Sequence, residues 1–579
     1  MLSEREQTAL SLLDLDALHR HFRVLASFVR RSDGDGERAA REYIRSRLEN
    51  ADIPYEESSA RGILAFGGEG RIVLTPCFGE SGRRTFGAAA WNFSAPAEAV
   101  VGRARVLEAG DFPLGPLDYL SSRIPYGARR DLEGGVVLSR FVSAEAVLDA
   151  QSRGAAGFVI CWAGGREREI HRSGISLGWG TPMPEEACWS PGIPVLAVNA
   201  EDGDILMDAA KDGAELSLSC TSPERIADVP LLEARIPSTA GEPYFLLVGA
   251  HLDSKHYGAT DNATGAAIAL TLAEALARVR DRRWGVRVCW WSGHEFGKYA
   301  GSSLYARDRF DEVDRYCLAY SNIDMPGMLG AVPSRVVTAG PDLFALADRT
   351  LRDVVGRSGE LSSRVRAWDQ SFQNIGVSPF FIWTSALPPD SPHRTGEAGM
   401  PWWWHTEADT AEFCDPKILE ADAALYVTAA LRLLSVERSA FDISALWDAV
   451  LERVRELESA LRPWLDLAPR RRALEEGRRG WLRAPSLPFS MELRAVRLLN
   501  RIFYAARDAH LQDWSGGSEF VPGLSEALRV LRRGVENPRA ETIVVHYAGV
   551  QSNRLGALAS ELASLVGRGE AQSEERRAP

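Results

Sequence analysis

The fold is decided by residues 244–265, which read YFLLVGAHLDSKHYGATDNATG. The stretch opens with the short apolar run YFLLVG, which is typical of a strand buried in a parallel sheet. His251 and Asp253 follow where this strand ends, and Asp261 comes shortly behind them. Residues 264–279 then have the composition of a helix. The sequence therefore predicts an α/β fold in which a strand delivers imidazole and carboxylate groups at its carboxyl end.

The same arrangement recurs twice further along the chain. The apolar run 286–291 precedes His294 and Glu295, and the run 316–320 precedes Asp324. In an open α/β sheet, the carboxyl ends of the strands form the edge where ligands bind. We therefore expect the polar groups that follow all three strands to meet at one edge of the sheet.

The candidate ligands at this edge are two imidazoles and three carboxylates, with no thiolate. They are His251, Asp261, Glu295, Asp324 and His405. Borderline divalent ions such as zinc accept this mixture, and one carboxylate can bridge two ions through its two oxygens. A pair of ions lowers the pKa of a shared water and polarises a carbonyl group. The residues therefore indicate metal-assisted hydrolysis of an amide.

Five separated motifs occur in the same order in one known family. They are His251-x-Asp253, Asp261-Asn262, the segment from Glu295 to Ser302, Asn322-x-Asp324 and His405-Thr-x-x-Asp-Thr410. On these motifs the chain resembles the two-zinc aminopeptidase and glutamate carboxypeptidase family, which also contains glutaminyl cyclases and the non-catalytic transferrin receptor. The resemblance implies a metal-dependent hydrolase that cleaves an amide bond of a peptide or small amide, in the manner of an exopeptidase.

The resemblance also implies how the ligands divide between two divalent ions. Asp261 would bridge the ions, with His251 and Asp324 on one and Glu295 and His405 on the other. Zinc is the first expectation, and Mn²⁺, Co²⁺, Ni²⁺ and Fe²⁺ remain open. Two further carboxylates would orient ligand histidines through hydrogen bonds, as carboxylates often do behind metal ligands. Asp253 would orient His251, and Asp409 would orient His405.

Two positions depart from the family pattern. Peptide-hydrolysing members usually carry a glutamate, the general base, where this chain has His294. A neutral imidazole can accept a proton near pH 7, so His294 is predicted to be catalytic as the base, although it could also be an extra ligand or signal a different reaction. Beside His405, carboxypeptidase-type relatives have a tyrosine that stabilises the oxyanion, and this chain has Trp404. Trp404 is therefore a candidate substrate-binding residue.

Further candidate substrate-binding residues lie between the metal motifs. Asp369 and Gln370 match a family segment that lines the substrate pocket. Arg364 and Arg366 could bind a substrate carboxylate bidentately, or they could be solvated loop charges.

The resemblance covers nearly the whole chain and divides it into domains. It implies a three-layer αβα, phosphorylase/hydrolase-like catalytic domain on a mixed, mostly parallel sheet, made of residues 1–79 and 226–438. Residues 80–225 resemble the protease-associated domain, a lid that would select short substrates, although a generic α/β insertion is the alternative. Residues 439–568 form a helical domain through which relatives dimerise, so we expect a homodimer. Residues 569–579 are predicted to be a disordered tail.

Composition bounds the partners and the location. The net charge of −12 argues against nucleic acid as a partner. No apolar run approaches the roughly 20 residues needed to span a bilayer, so no membrane association is expected. The first residues lack the pattern of a signal peptide. The seven cysteines are odd in number and lack paired spacing, which favours reduced thiols and a cytoplasmic location.

Two alternatives to hydrolysis remain. One is another metal-centred reaction on a small amino-acid-like substrate, such as cyclisation or C–N bond cleavage without water. The other is a non-catalytic receptor or scaffold built on the same fold.

Overall fold

The computed structural model describes most of the chain. It covers residues 2–575 except 78–81, 114, 123–129, 163–168, 334–335, 359, 362–368, 396–398, 437–438, 484–486, 515–518 and 535–537.

The strands belong to a central sheet, a closed barrel and two small two-stranded sheets. In chain order they are β1 (Tyr55–Ala65), β2 (Glu69–Thr75), β3 (Arg84–Ala90), β4 (Ala97–Val106), β5 (Val136–Ser139), β6 (Gly157–Cys161), β7 (Val195–Val198), β8 (Glu215–Cys220), β9 (Glu224–Ile236), β10 (Phe245–His251), β11 (Gly285–Trp291), β12 (Cys317–Asn322), β13 (Val332–Pro333), β14 (Val336–Val337), β15 (Glu360–Leu361), β16 (Ser378–Pro379) and β17 (Ser385–Ala386).

The helices flank the central sheet and the barrel and make up the C-terminal region. In chain order they are α1 (Glu4–Ser11), α2 (Leu15–Leu25), α3 (Asp35–Asn50), α4 (Pro116–Ser122), α5 (Ala144–Ser152), α6 (Ala200–Lys211), α7 (Thr264–Arg278), α8 (His294–Gly297), α9 (Ala300–Asp308), α10 (Phe310–Tyr316), α11 (Phe344–Val355), α12 (Pro416–Leu434), α13 (Ile443–Leu461), α14 (Ala468–Arg483), α15 (Phe489–Tyr504), α16 (Pro522–Arg533) and α17 (Pro538–Glu575). Within the described residues, none of these helices is long and apolar enough to cross a membrane.

The central sheet has the strand order β1-β9-β11-β10-β12-β16. Strand β10 pairs in parallel with β11 and β12, and β12 pairs in parallel with β16. Strands β9 and β1 extend the other edge in antiparallel pairing. The predicted mixed α/β fold is confirmed, and its middle strand is the apolar run that the sequence singled out.

Alternation along β10 explains why helices cover both faces of the sheet. Leu246 and Val248 lie in the large core that includes α7 and α12, whereas Phe245 and Leu247 lie in a second cluster with Tyr305 of α9. Successive side chains of a strand point to opposite faces. A strand buried on both faces therefore reads as one continuous apolar run.

The insert is a closed barrel with the strand order β2-β3-β7-β6-β5-β4-β8. Leu138, Leu196 and Leu218 pack inside it. The sequence assigned residues 71–75 to the catalytic domain, but they lie in β2, which pairs with β3 and β8 of the barrel. An apolar strand before a loop reads the same whichever sheet it joins, so local pattern could not separate the two. That the insert is a protease-associated domain stays a prediction.

The C-terminal region is helical, as predicted, and runs from α13 to α17. Its apolar stripes pack into the core shared with the central sheet, where Leu446, Val450 and Val454 of α13 are fully buried. Helix α17 continues to Glu575, into the segment predicted to be a disordered tail. The segment is rich in Glu, Ala and Gln, which are good helix formers, so the helix propagates beyond its packed part.

Candidate metal centre

Three neighbouring strands bring the candidate ligands to one sheet edge. His251 is the last residue of β10, Glu295 lies in α8 just after β11, and Asp324 follows β12. The parallel registers align His251 with Trp291 of β11, and Gly249 with Asn322 of β12. The polar groups that follow each strand therefore meet, as the sequence predicted.

Asp261 lies between two histidines and faces one with each oxygen. Its Oδ1 is 3.0 Å from His251 Nε2, and its Oδ2 is 3.1 Å from His405 Nε2. Asp324 Oδ1 is 3.3 Å from His251 Nε2, and Glu295 Oε1 is 3.0 Å from His405 Nε2. The five residues thus form two halves joined by Asp261, in the grouping that the resemblance implies.

The polar atoms of this cluster fit a divalent cation. Apart from these close approaches within the cluster, the buried atoms His251 Nε2, Glu295 Oε1 and Asp324 Oδ1 have no hydrogen-bond partner among the described residues. Buried polar atoms without partners are costly, and an ion that accepts their lone pairs removes that cost. Burial disfavours the imidazolium of His405, yet Glu295 and Asp261 outweigh burial and raise its pKa to about 9. The cluster carries excess negative charge, and its N and O donors suit zinc.

Asp253 contacts both His251 and the first residues of α8, so its predicted role in orienting His251 stays a prediction. His251 Nδ1 lies 2.9 Å from the main-chain carbonyl of Asp253, whereas the carboxylate Oδ1 is 3.7 Å away. The carboxylate accepts hydrogen bonds from the backbone N–H groups of His294 (3.2 Å) and Glu295 (2.9 Å) and from the hydroxyl of Ser32. Asp253 therefore holds the first residues of α8 in place, and its backbone orients His251.

Asp409 was expected to support His405, and this expectation is wrong. Its carboxylate accepts from the backbone N–H of Thr260 (2.9 Å), the hydroxyl of Thr260 (2.8 Å) and the backbone N–H of Asp261 (3.0 Å). Burial raises the pKa of Asp409 to about 7. Its role is to fix the segment that carries Asp261, which the spacing between His405 and Asp409 did not reveal.

His294 is paired with Asp369. His294 Nδ1 lies 2.6 Å from Asp369 Oδ2, and its ring stacks on His251 with centroids 3.7 Å apart and planes 12° apart. Burial and His251 oppose protonation of His294, yet Asp369 outweighs them and raises its pKa above the ordinary value. The sequence placed Asp369 in the substrate pocket; the structure shows it bound to the imidazole.

A chain of hydrogen bonds continues from Asp369 to the insert. Ser302 Oγ donates to Asp369 Oδ1 (2.6 Å) and lies 2.8 Å from Ser371 Oγ. Trp179 of the insert donates from Nε1 to Ser371 Oγ (2.8 Å) and stacks on Tyr299 at 4.2 Å. The insert therefore contributes to the environment of His294.

His294 is also close enough to be a ligand. His251, His294 and Asp324 offer ligand atoms that all lie within 4.8 Å of one another, as do those of His251, Asp261 and Glu295. Geometry alone thus permits both the base and the ligand roles that the sequence left open for His294.

The remaining predicted residues have mixed positions. Trp404 stacks on His405 with centroids 3.9 Å apart. Gln370 is buried and accepts a hydrogen bond from Gln373 (2.6 Å). Arg364 and Arg366 lie outside the described residues.

Two residues near the ligands were missed by sequence reasoning. His171 of the insert is buried and stacks on His405 at 5.3 Å, and no motif marked it. Lys255 donates from Nζ to the backbone carbonyl of Glu295 (3.0 Å), and burial lowers its pKa to about 8. Its position inside the 244–265 stretch was the available signal.

Residues 232–430 match the family described as peptidase family M28. The chain contains an M28 peptidase domain. The resemblance to the two-zinc aminopeptidase and carboxypeptidase family is thereby confirmed. A curated relative, a probable glutamate carboxypeptidase (LAMP1) from Arabidopsis thaliana, is 26% identical over 200 residues, which are 32% of this chain and 27% of that protein. The match thus spans about a quarter of the relative's length.

Solved structures share a fold with this chain over about three quarters of its length. A peptidase M28 precursor from Shewanella amazonensis SB2B has a TM-score of 0.55 at 16% identity, covering 75% of this chain and 96% of that one. A zinc aminopeptidase from Bacillus subtilis has a TM-score of 0.50 at 18% identity, covering 74% of this chain and 98% of that one. At identities this low, the structural similarity shows a common fold alone.

Proposed function

We propose that this chain is a metal-dependent exopeptidase-like hydrolase that cleaves an amide bond of a peptide or small amide. The observation that carries the proposal is Asp261, whose two oxygens face His251 and His405 at 3.0 and 3.1 Å. A carboxylate in this position can bridge two ions.

The five candidate ligands would bind two divalent ions, and zinc is the metal that we expect first. His251 and Asp324 would hold one ion, Glu295 and His405 the other, and Asp261 both. Bound ions would supply Lewis acidity, which lowers the pKa of water and polarises the scissile carbonyl.

His294 is the proposed base. Because its Nδ1 pairs with Asp369, its Nε2 is left to accept the proton of the attacking water. As the water oxygen bonds to the carbonyl carbon and the C–N bond breaks, His294 returns the proton to the leaving amine. Asp369 fixes the tautomer and orientation of the imidazole throughout, as carboxylates do behind catalytic histidines.

Substrate binding is proposed for the residues around the ligands. Trp404, stacked on His405, and Gln370 would contact the substrate, and Arg364 and Arg366 would bind a carboxylate if the substrate has one. The insert, which contacts the catalytic domain through Trp179, would act as a lid that favours short substrates.

A homodimer through the C-terminal helices is part of the proposal. Leu482 of α14 is 57% exposed, and Ile543 and Val550 of α17 are 42% and 49% exposed. Ile543 and Val550 are spaced by two helical turns, so they share one face. Light scattering should show a dimer that the double substitution Ile543→Glu, Val550→Glu converts to a monomer.

A cytoplasmic location is also proposed, since the six described cysteines are free thiols.

Hydrolysis is tested with a panel of peptides and N-acyl amino acids on zinc-loaded protein. We expect turnover that disappears with chelator, returns with zinc, and incorporates ¹⁸O from labelled water into the product acid. Turnover without ¹⁸O would indicate the cyclisation or C–N cleavage alternative. No turnover across the panel, together with metal-independent binding of a partner, would indicate a scaffold.

A further inference from the structure

The short segment between α2 and α3 contains a buried arginine, Arg30, whose relative exposure is 0%. Within the described part of the chain its guanidinium forms no ion pair, and it donates instead to main-chain carbonyl oxygens. The acceptors are Leu25 (2.8 Å), Phe28 (3.1 Å), Leu252 (2.8 Å), Tyr257 (2.8 Å) and Gly258 (2.8 Å).

Three of these acceptors belong to residues 252–258, the turn that lies between the candidate ligands His251 and Asp261. Leu252 follows His251 directly, and Tyr257 and Gly258 lie just before Asp261. Arg30 therefore bonds to both ends of the turn and fixes its span. A turn held at both ends cannot widen without breaking hydrogen bonds to a buried cation, which cost more than ordinary ones to lose.

The backbone of Arg30 binds the middle of the same turn. Ser254 N donates to the carbonyl of Arg30 (2.9 Å), and Arg30 N donates to Ser254 Oγ (3.3 Å). Two residues later, Ser32 donates its hydroxyl to the carboxylate of Asp253. The segment Arg30–Ser32 thus contacts the turn at its beginning, middle and end.

The conformation that Arg30 holds is tight. Gly258 has a φ of +50°, and a Cβ there would lie 2.1 Å from the carbonyl oxygen of Asp261. Only glycine fits this approach. The carbonyl of Gly258, which accepts from Arg30, is therefore held in a geometry that brings the Asp261 backbone against the turn.

The positive charge of Arg30 also favours its position beside the turn. The guanidinium lies near the carboxylates of Asp253, Asp261 and Asp409, each of which favours its charged form. Burial lowers the pKa of Arg30 to about 10, so it remains cationic at neutral pH. Arginine also offers five N–H donors in a planar fork, a pattern that the single ammonium of lysine cannot reproduce.

We propose that Arg30 is a positioning residue for the metal centre: by clamping the turn from Leu252 to Gly258, it sets the separation of His251 and Asp261. This inference rests on the proposed function in that it requires His251 and Asp261 to bind metal. Groups that orient metal ligands from behind typically contribute about 10–100-fold in metal affinity.

The test is Arg30→Lys with Arg282→Lys as its matched control. Arg282 is also buried and also donates to main-chain carbonyls, those of Val279 (3.0 Å) and Pro237 (2.8 Å), away from the ligands. Zinc affinity is measured by competition with a chromophoric chelator, the site geometry by the visible absorption of Co²⁺-loaded protein, and stability by thermal unfolding.

We expect Arg30→Lys to bind zinc about 10–100-fold more weakly and to alter the Co²⁺ spectrum, whereas Arg282→Lys changes only the unfolding temperature. Wild-type zinc affinity and an unaltered spectrum in Arg30→Lys would overturn the inference while leaving the proposed function intact, and so would equal losses in both variants. Wild-type protein that binds no zinc would overturn both.

A milder variant covers the case in which Arg30→Lys does not fold. Ser254→Ala removes the acceptor of the Arg30 N–H and keeps the guanidinium. We expect a several-fold loss of zinc affinity with a folded protein. Unchanged affinity and an unchanged Co²⁺ spectrum in Ser254→Ala would count against the clamp.

Discussion

His294 Nδ1 and Asp369 Oδ2 lie 2.6 Å apart beside the candidate ligands, where the side chain of Asp369 is buried and that of His294 is 10% exposed. Ser302 donates to the second oxygen of Asp369, so the carboxylate cannot rotate away. A carboxylate on Nδ1 fixes the imidazole tautomer and leaves Nε2 as the basic atom. The proposed base, His294, is thus held in one orientation by a neighbouring carboxylate.

Replacing Asp369 with Asn is expected to move the acid limb of the kcat/KM profile to lower pH. Asp369 raises the pKa of His294, so removing its negative charge lowers that pKa and leaves the imidazole neutral at lower pH. The rate on the plateau should fall on the order of 10²-fold because the tautomer is no longer fixed. The control is Asp342→Asn, which changes a buried carboxylate that accepts a hydrogen bond from Ser378. An acid limb that stays in place would contradict the pairing.

Replacing His294 separates its roles as base and as ligand. We expect His294→Ala to lose about 10²–10⁴-fold in kcat while retaining wild-type zinc content. His294→Glu should recover part of the rate, since a carboxylate can accept the same proton. Zinc content is measured by elemental analysis. Loss of one ion in His294→Ala would instead make His294 a ligand.

Asp261→Ala is expected to lower the zinc content sharply from two ions per chain and to abolish turnover. Without Asp261, the lone pairs that join the two halves of the site are gone, and each half keeps only two donors. Asp422→Ala changes a buried carboxylate that bonds to Thr384 and Ser385, and it should leave the zinc content unchanged. Equal zinc content in wild type and Asp261→Ala would show that the ligand set is wrong.

Trp179→Phe tests the link between the insert and His294. Phenylalanine keeps an aromatic ring against Tyr299 but removes the N–H that donates to Ser371. We expect a several-fold lower kcat and a loss of about 1 kcal/mol in stability. The control is Trp447→Phe, because the buried N–H of Trp447 has no partner among the described residues. Steady-state kinetics that are the same for both variants would remove Trp179 from the network.

Glu526 should make stability fall as pH rises. Burial raises its pKa to about 7 from an ordinary value of 4.5, so the folded state favours the protonated carboxyl. The resulting stability is fully present below pH 4.5 and is lost as pH rises towards 7. Glu526→Gln should therefore raise the free energy of unfolding at pH 8 by about 1–3 kcal/mol and flatten its pH dependence. Denaturant titrations at pH 4.5 and 8 would measure this. The same change in the free energy of unfolding between the two pH values in wild type and Glu526→Gln would contradict it.

The sequence by itself determined the sheet and the edge at which the candidate ligands meet. Apolar runs that end in His251, precede Glu295 and precede Asp324 are local patterns, and parallel pairing necessarily brings their carboxyl ends together. A strand buried on both faces leaves little freedom in its composition, so the pattern is visible without a structure.

Only the tertiary structure decided which group each carboxylate serves. Asp253 holds the start of α8, Asp409 holds the segment of Asp261, and Asp369 pairs with His294. These partners come together through loops that are distant in sequence, and a carboxylate accepts equally well from an imidazole, a hydroxyl or a backbone N–H. The clamp by Arg30 was hidden for the same reason, because its acceptors are main-chain carbonyls that every residue carries.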